Sequence, residues 1–124
     1  MDSGPLRDMA SLSPALRAAA ETECLYWGKE QPPRTVLAGS LAAALAGTSL
    51  DEETLQRVFD ICEAAFAADH SDADAIATGF LEALQHADGR HAFDFRTVAR
   101  FLGSRSEAHC RAMDKLHGVR TRGL

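Results

Sequence analysis

The chain has 124 residues, of which 46% are apolar and 25% charged, and its formal net charge is −5. This length is typical of one domain with its own core, and the apolar content excludes a disordered chain. The acidic balance argues against nucleic acid as a partner.

Three features of the sequence favour a cytoplasmic protein. The acidic start, Met1-Asp2-Ser3, has no apolar run behind it, so no secretory signal is visible. The longest nearly uncharged stretch, residues 36–48, is shorter than the roughly 20 residues that span a bilayer, so no membrane contact is expected. The three cysteines are unevenly spaced and fit a reducing compartment: Cys24, Cys62 and Cys110.

The first half of the chain predicts two helices after a weakly patterned start. Alanine fills 23 positions, whereas the β-branched Val and Ile fill only six, which favours helices over strands. Residues 1–12 predict a flexible arm or a short helical turn. Ser13-Pro14 begins a first helix that ends near Trp27, and a second helix covers about residues 34–46.

A third helix begins at a capping box, Ser49 with Glu52, and runs to about Ala68. Its apolar residues recur at helical spacing and predict a buried stripe: Leu55, Val58, Phe59, Cys62 and Phe66. The opposite arc is acidic and polar: Glu52, Glu53, Gln56, Asp60 and Glu63. We expect Glu52, Asp60 and Glu63 to face solvent, because they lack cationic partners at helical spacing.

Three more helices are predicted in the second half, over about residues 71–89, 94–103 and 104–117, the last from a second capping box. Short links between helices imply antiparallel neighbours. The sequence therefore predicts an all-α domain over residues 13–118, a compact bundle or a short helical-hairpin stack of five to six antiparallel helices. The basic tail, residues 119–124, is expected to be loose.

The fourth helix and the end of the first carry features with two interpretations. Thr78, Glu82, Gln85 and His86 form a polar side of the fourth helix. Glu82 and His86 are four residues apart, so a local pair is the simpler interpretation and a partner surface the alternative. The only Tyr and Trp, Tyr26 and Trp27, stand at a helix end, where a place in the core is favoured over an interface hot spot.

The sequence predicts no enzyme activity, no cofactor and no metal site. The His and Cys residues lack the paired spacing of a zinc site, and the aspartates of residues 69–74 lack the Gly and Glu of a calcium loop. Phosphate-loop and nucleophile-elbow motifs are absent from the sequence.

Charge is unevenly distributed, with a net −1 over residues 1–49, −9 over residues 50–94 and +5 over residues 95–124. The acidic arc of the third helix is either a solvated surface, matched internally by the basic third, or a docking surface for a basic partner. The candidate partner-binding residues are Glu52, Glu53, Gln56, Asp60, Glu63, Glu82 and His86.

Two short motifs resemble a set of small all-helical bacterial proteins associated with polymorphic-toxin and contact-dependent immunity loci. They are Phe80-Leu81-Glu82 in the fourth helix and the turn Leu102-Gly103-Ser104-Arg105 before the last one. The resemblance covers about residues 16–117. It implies a partner protein that neutralises a toxin. Together with the acidic and polar helical faces, it favours an immunity protein that binds a cognate toxin stoichiometrically through those faces and occludes the toxin's active site.

The alternative is a non-enzymatic regulatory or adaptor module whose basic C-terminal third contacts nucleic acid or an anionic partner. The residues concerned are Arg96, Arg100, Arg105, Arg111, Lys115, Arg120 and Arg122. Steeply salt-dependent binding to generic DNA would favour this module. A tight one-to-one complex with a toxic protein would favour the immunity protein.

Overall fold

The computed structural model describes residues 4–124, and this part of the chain is helical and contains no strand. The α-helical segments are α1 (Pro5–Ala10), α2 (Pro14–Trp27), α3 (Arg34–Ala46), α4 (Glu52–Ala67), α5 (Ala73–Ala75), α6 (Glu82–Gly89) and α7 (Ser104–His117). A π-helical segment (Ile76–Leu81) joins α5 to α6, and two 3-10 turns (Phe95–Thr97 and Ala99–Phe101) precede α7. The predicted all-α class is confirmed.

The number of helices differs from the predicted five to six, because the described chain forms seven α-helical segments. α5, the π segment and α6 follow without interruption, so the predicted fourth helix is present with a π-helical middle. The predicted fifth helix is only a pair of 3-10 turns. Asp94 caps the first of these turns by accepting a hydrogen bond from the Arg96 backbone N–H at 3.0 Å.

The centre of the domain is the crossing of α3 and the π segment, which make the most extensive contact between elements. A Cβ atom on Gly79 would lie 2.6 Å from the Thr35 carbonyl oxygen and 2.9 Å from the Ala38 Cβ. The close approach of the two backbones therefore requires glycine at this position. The rings of Phe59 and Phe80 extend the core beside the crossing, with centroids 6.0 Å apart.

Both described ends of the chain pack against the domain. The start of the described chain is helical, as one of the two expected alternatives had it, and it is not a flexible arm, because Leu6 and Met9 of α1 are completely buried. Residues 1–3 lie outside the described residues. The tail, residues 119–124, was expected to be loose, but it is bound to the domain. Arg122 Nε donates to Asp88 Oδ1 at 2.8 Å, and a carboxylate as deeply buried as Asp88 is stable only with such a partner.

Helix starts follow the predicted cap chemistry at one helix and depart from it at another. The Ser13 hydroxyl oxygen accepts a hydrogen bond from the Leu16 N–H at 3.1 Å, as predicted for α2. α4 begins after Asp51 instead of Ser49, and Asp51 accepts from the Thr54 N–H at 2.8 Å. This backbone hydrogen bond lowers the pKa of the Asp51 carboxyl, because it favours the charged form.

Candidate partner-binding surface and cleft

One side of α4 faces solvent and carries most of the acidic residues predicted there. Glu52, Glu53, Gln56 and Asp60 are all exposed, whereas the residues on the inner side, Phe59 among them, are buried. Three carboxylates thus stand on a helix whose backbone is anchored in the core. We call Glu52, Glu53, Gln56 and Asp60 the α4 acidic face.

Two carboxylates of the α4 acidic face have cationic neighbours. Glu53 Oε1 lies 3.2 Å from the Arg57 guanidinium one turn along the helix, and Glu52 pairs with Arg100. The side chains in both pairs are largely exposed, so each pair adds little to stability. Asp60 has no ion pair among residues 4–124 and is bound only by an amide of the same face. The face therefore keeps accessible negative charge.

Glu63 does not belong to the exposed face, contrary to the sequence prediction. Its Oε2 accepts a hydrogen bond from the Arg105 N–H at 3.0 Å, and its Oε1 accepts from the Ser106 N–H at 3.1 Å. These first-turn N–H groups have no acceptor within α7, because the helix lacks a side-chain cap of its own. The predicted capping box at Ser104 is thus replaced by a carboxylate from another helix.

Glu82 and His86 do not form the predicted local pair. Glu82 Oε2 lies 3.0 Å from His109 Nε2, and this contact joins α6 to α7. The His109 ring stacks on Phe66 of α4, with centroids 6.5 Å apart, which places α7 between α4 and α6. His86 is exposed, and its ring centroid lies 6.2 Å from that of His117.

An open cleft of about 490 Å³ lies where α6, the end of α7 and the C-terminal segment meet. Its lining includes Glu82 and His86 together with Arg120 of the basic C-terminal third and two residues that the sequence did not single out, Arg90 and His117. Gln85, expected on the polar side of the helix, lines the same cleft but is only 7% exposed. Helical spacing identified His86, but only the fold brings the end of α7 beside it.

The basic C-terminal third is largely neutralised by carboxylates within the chain. Five of its seven cationic side chains are in ion pairs: Arg96 with Asp94, Arg100 with Glu52, Arg105 with Glu63, Arg111 with Glu107 and Arg122 with Asp88. Lys115 and Arg120 have no ion pair among the described residues. Internal matching therefore accounts for most of the positive charge of this third.

Within residues 4–124, no group of three or more His, Cys, Asp or Glu side chains is placed to hold a metal ion. Burial raises the pKa of both inner thiols, Cys62 and Cys110, that of Cys110 to about 12. A thiol kept protonated in this way is a poor nucleophile.

The aromatic pair at the end of α2 does not fill the core as predicted. Tyr26 and its neighbour Leu25 are each 82% exposed. Trp27 is half-buried, and its Nε1 donates to Glu23 Oε2 at 2.9 Å. Both Leu25 and Tyr26 therefore face solvent instead of the core.

Comparison with known proteins returned no match to any family model, any curated protein or any solved structure. Within residues 4–124, no helix combines the length and the apolar character needed to cross a bilayer.

Proposed function

We propose that the protein is a cytoplasmic immunity protein that neutralises a cognate toxin by binding it stoichiometrically through the α4 acidic face. The observation that carries the proposal is the concentration of exposed Glu52, Glu53 and Asp60 on one side of a helix whose other side packs into the core. A rigid acidic surface of this kind complements a basic cleft in a partner and accelerates their encounter.

The proposed mechanism is occlusion. A core-anchored helix keeps its exposed side chains in fixed relative positions, so little conformational entropy is lost when a partner docks. The carboxylates would cover cationic groups at the toxin's active site and either block substrate or imitate its charge. The resemblance of the sequence to proteins from immunity loci supports this partner class. Glu82 and His86 lie at the separate cleft, so the α4 acidic face alone carries the mechanism proposed here.

Charge reversal on the α4 acidic face tests this proposal. In Glu53→Lys/Asp60→Lys, neither new side chain disturbs a contact with another helix, since both native residues are exposed and bonded only within α4. The matched control is Glu21→Lys/Glu30→Lys, two exposed carboxylates of α2 and the loop after it. Both variants change the net charge equally, so only the position of the charge differs.

The assay takes the product of the adjacent gene as the candidate toxin and pairs it with each variant, by growth rescue on co-expression and by calorimetric titration of the purified proteins. We expect the native chain and the control to restore growth and to form a one-to-one complex. The α4 variant should bind about tenfold more weakly at low salt, with a smaller loss at high salt. An α4 variant that matches the control in affinity, with both folded by circular dichroism, would exclude this docking surface.

A further inference from the structure

The cleft between α6, the end of α7 and the C-terminal segment has the dimensions of a ligand site. Its volume of about 490 Å³ lies within the range of roughly 300–1,000 Å³ that is usual for small-molecule pockets. A second, smaller pocket of about 30 Å³ adjoins it and shares its lining residues Gln85, His86 and His117. A space of this size holds one water molecule or one small polar group of a ligand.

A buried acceptor without a donor lies at this place. The two N–H groups of the Gln85 amide are shared among three acceptors, the Cys110 carbonyl at 2.9 Å, Asp114 Oδ1 at 3.1 Å and Thr121 Oγ1 at 3.2 Å. Because all three neighbours accept hydrogen bonds, the orientation of the amide is fixed. Its oxygen, Oε1, is buried and has no partner among the described residues. Such an acceptor favours a ligand that offers an N–H or O–H group.

Cations without a carboxylate partner gather around the same cleft. Arg90 and Arg120 line it, are exposed and have no ion pair among residues 4–124. The acidic residues of the lining are already engaged, Glu82 by His109 and Asp88 by Arg122. Arg90 also complements the negative end of α6, an effect that accounts for neither Arg120 nor the orphaned amide oxygen. The cleft is therefore suited to a negatively charged group.

We propose that this cleft binds a small organic anion with an apolar body and one N–H or O–H group. The anionic group would pair with Arg90 and Arg120, the body would lie over Val119, and the donor would reach Gln85 Oε1. The site is separate from the α4 acidic face, and the proposal does not depend on the immunity function.

Four aromatic probes separate the required features of the ligand. These are p-aminobenzoate, benzoate, p-aminobenzamide and p-aminophenyl phosphate, each titrated into the full chain and followed by amide chemical shifts. Because benzoate lacks the donor and p-aminobenzamide lacks the charge, we expect each to bind at least about fivefold more weakly than p-aminobenzoate. The phosphate probe shows which anion the arginines prefer. Shifts outside the cleft, or no difference among the probes, would refute the proposal.

Gly89 allows the cleft to be closed without harm to the fold. A Cβ on Gly89 would meet no atom within 4 Å, and the residue lines the cleft. Gly89→Phe should therefore fill the space and abolish probe binding, while thermal stability stays the same or rises, because glycine is a poor helix former. Probe binding that survives in this variant would overturn the assignment.

The role of the arginines is tested by Arg90→Gln/Arg120→Gln against a control of equal charge, Lys29→Gln/Arg57→Gln. All four native residues are exposed, and the control pair is not in the lining of the cleft. The cleft variant should weaken p-aminobenzoate at least about tenfold and leave p-aminobenzamide nearly unchanged, since only the former carries charge. If the control variant loses as much affinity for p-aminobenzoate, the effect comes from the overall charge of the protein and not from the cleft, and the proposal is contradicted.

Discussion

The carboxylate of Glu63 should be a main stabiliser of α7, although it belongs to α4. Removing it leaves the N–H groups of Arg105 and Ser106 without the acceptors that lie 3.0 and 3.1 Å away. Loss of a helix N-cap costs about 1–2 kcal/mol. We therefore expect Glu63→Ala to lower the free energy of unfolding by about that amount, and the Tm by about 3–8 °C for a domain of this size.

Gly103 makes the prediction sharper, because the cost of its substitution should depend on the residue at position 63. A Cβ on Gly103 would lie 2.4 Å from Glu63 Cδ, so Gly103→Ala must push the capping side chain away. The cost is then the loss of the cap, again about 1–2 kcal/mol. In the Glu63→Ala background the opposing atoms are gone, and φ of −77° at Gly103 suits alanine. There Gly103→Ala should cost clearly less, at most about 0.5–1 kcal/mol, because only the weaker preference of alanine for the N-cap position remains.

Urea unfolding followed by far-UV circular dichroism, on the native chain, both single variants and the double variant, measures this coupling. The expected result is a shift of the midpoint without a change of slope, which marks a change of stability alone. If Gly103→Ala destabilises equally in both backgrounds, the predicted contact between these two residues is wrong.

The same experiment has a defined pH dependence. Burial raises the pKa of the Glu63 carboxyl, but the hydrogen bonds from Arg105 and Ser106 together outweigh it, and the pKa lies below its ordinary value of 4.5. A carboxyl with a lowered folded-state pKa stabilises the fold fully above its unfolded-state pKa, and this contribution is lost as the pH falls through the folded-state pKa. The difference between the native chain and Glu63→Ala should therefore shrink below pH 4.5.

Two further predictions concern the core. Gly79→Ala should cost about 1–3 kcal/mol in the same unfolding assay, because the added methyl overlaps the α3 backbone. Gly39→Ala should be neutral or stabilising, because the nearest atom to its Cβ would lie at an ordinary 3.7 Å. Equal effects of the two variants would contradict the close approach of α3 and the π segment at Gly79. In the native state a thiol reagent should modify only the half-buried Cys24, since the other two thiols are buried. Mass spectrometry of the labelled protein distinguishes one modified site from three.

Local sequence signals were sufficient where a helix is defined by its own residues. The buried side of α4 follows from apolar spacing alone, and Ser13 caps α2 as its position predicts. The face opposite the buried side of α4 is likewise exposed, apart from Glu63. In each case the pattern lies within a few residues, where helix geometry fixes which side chains share a face.

The failures concern residues whose partners are distant in sequence. Glu63 lies on the predicted acidic arc, but the missing cap of α7 draws it inward. Glu82 pairs with His109 instead of His86, because α7 lies against α6. The tail is fixed because buried Asp88 binds Arg122, 34 residues away. The periodicity of apolar residues in the sequence does not reveal such pairs, because they depend on tertiary packing and on the cost of an unpaired buried charge.

The two proposed sites share no residue, and each therefore provides a control for the other. The α4 acidic face consists of Glu52, Glu53, Gln56 and Asp60, whereas the cleft is lined by residues of α6, the end of α7 and the C-terminal segment. Charge reversal at Glu53 and Asp60 should thus leave probe binding intact, and Gly89→Phe should leave partner binding intact. If Gly89→Phe instead loses partner binding, the cleft is part of the docking surface. Such a result would agree with the sequence prediction, which includes Glu82 and His86 among the partner-binding residues.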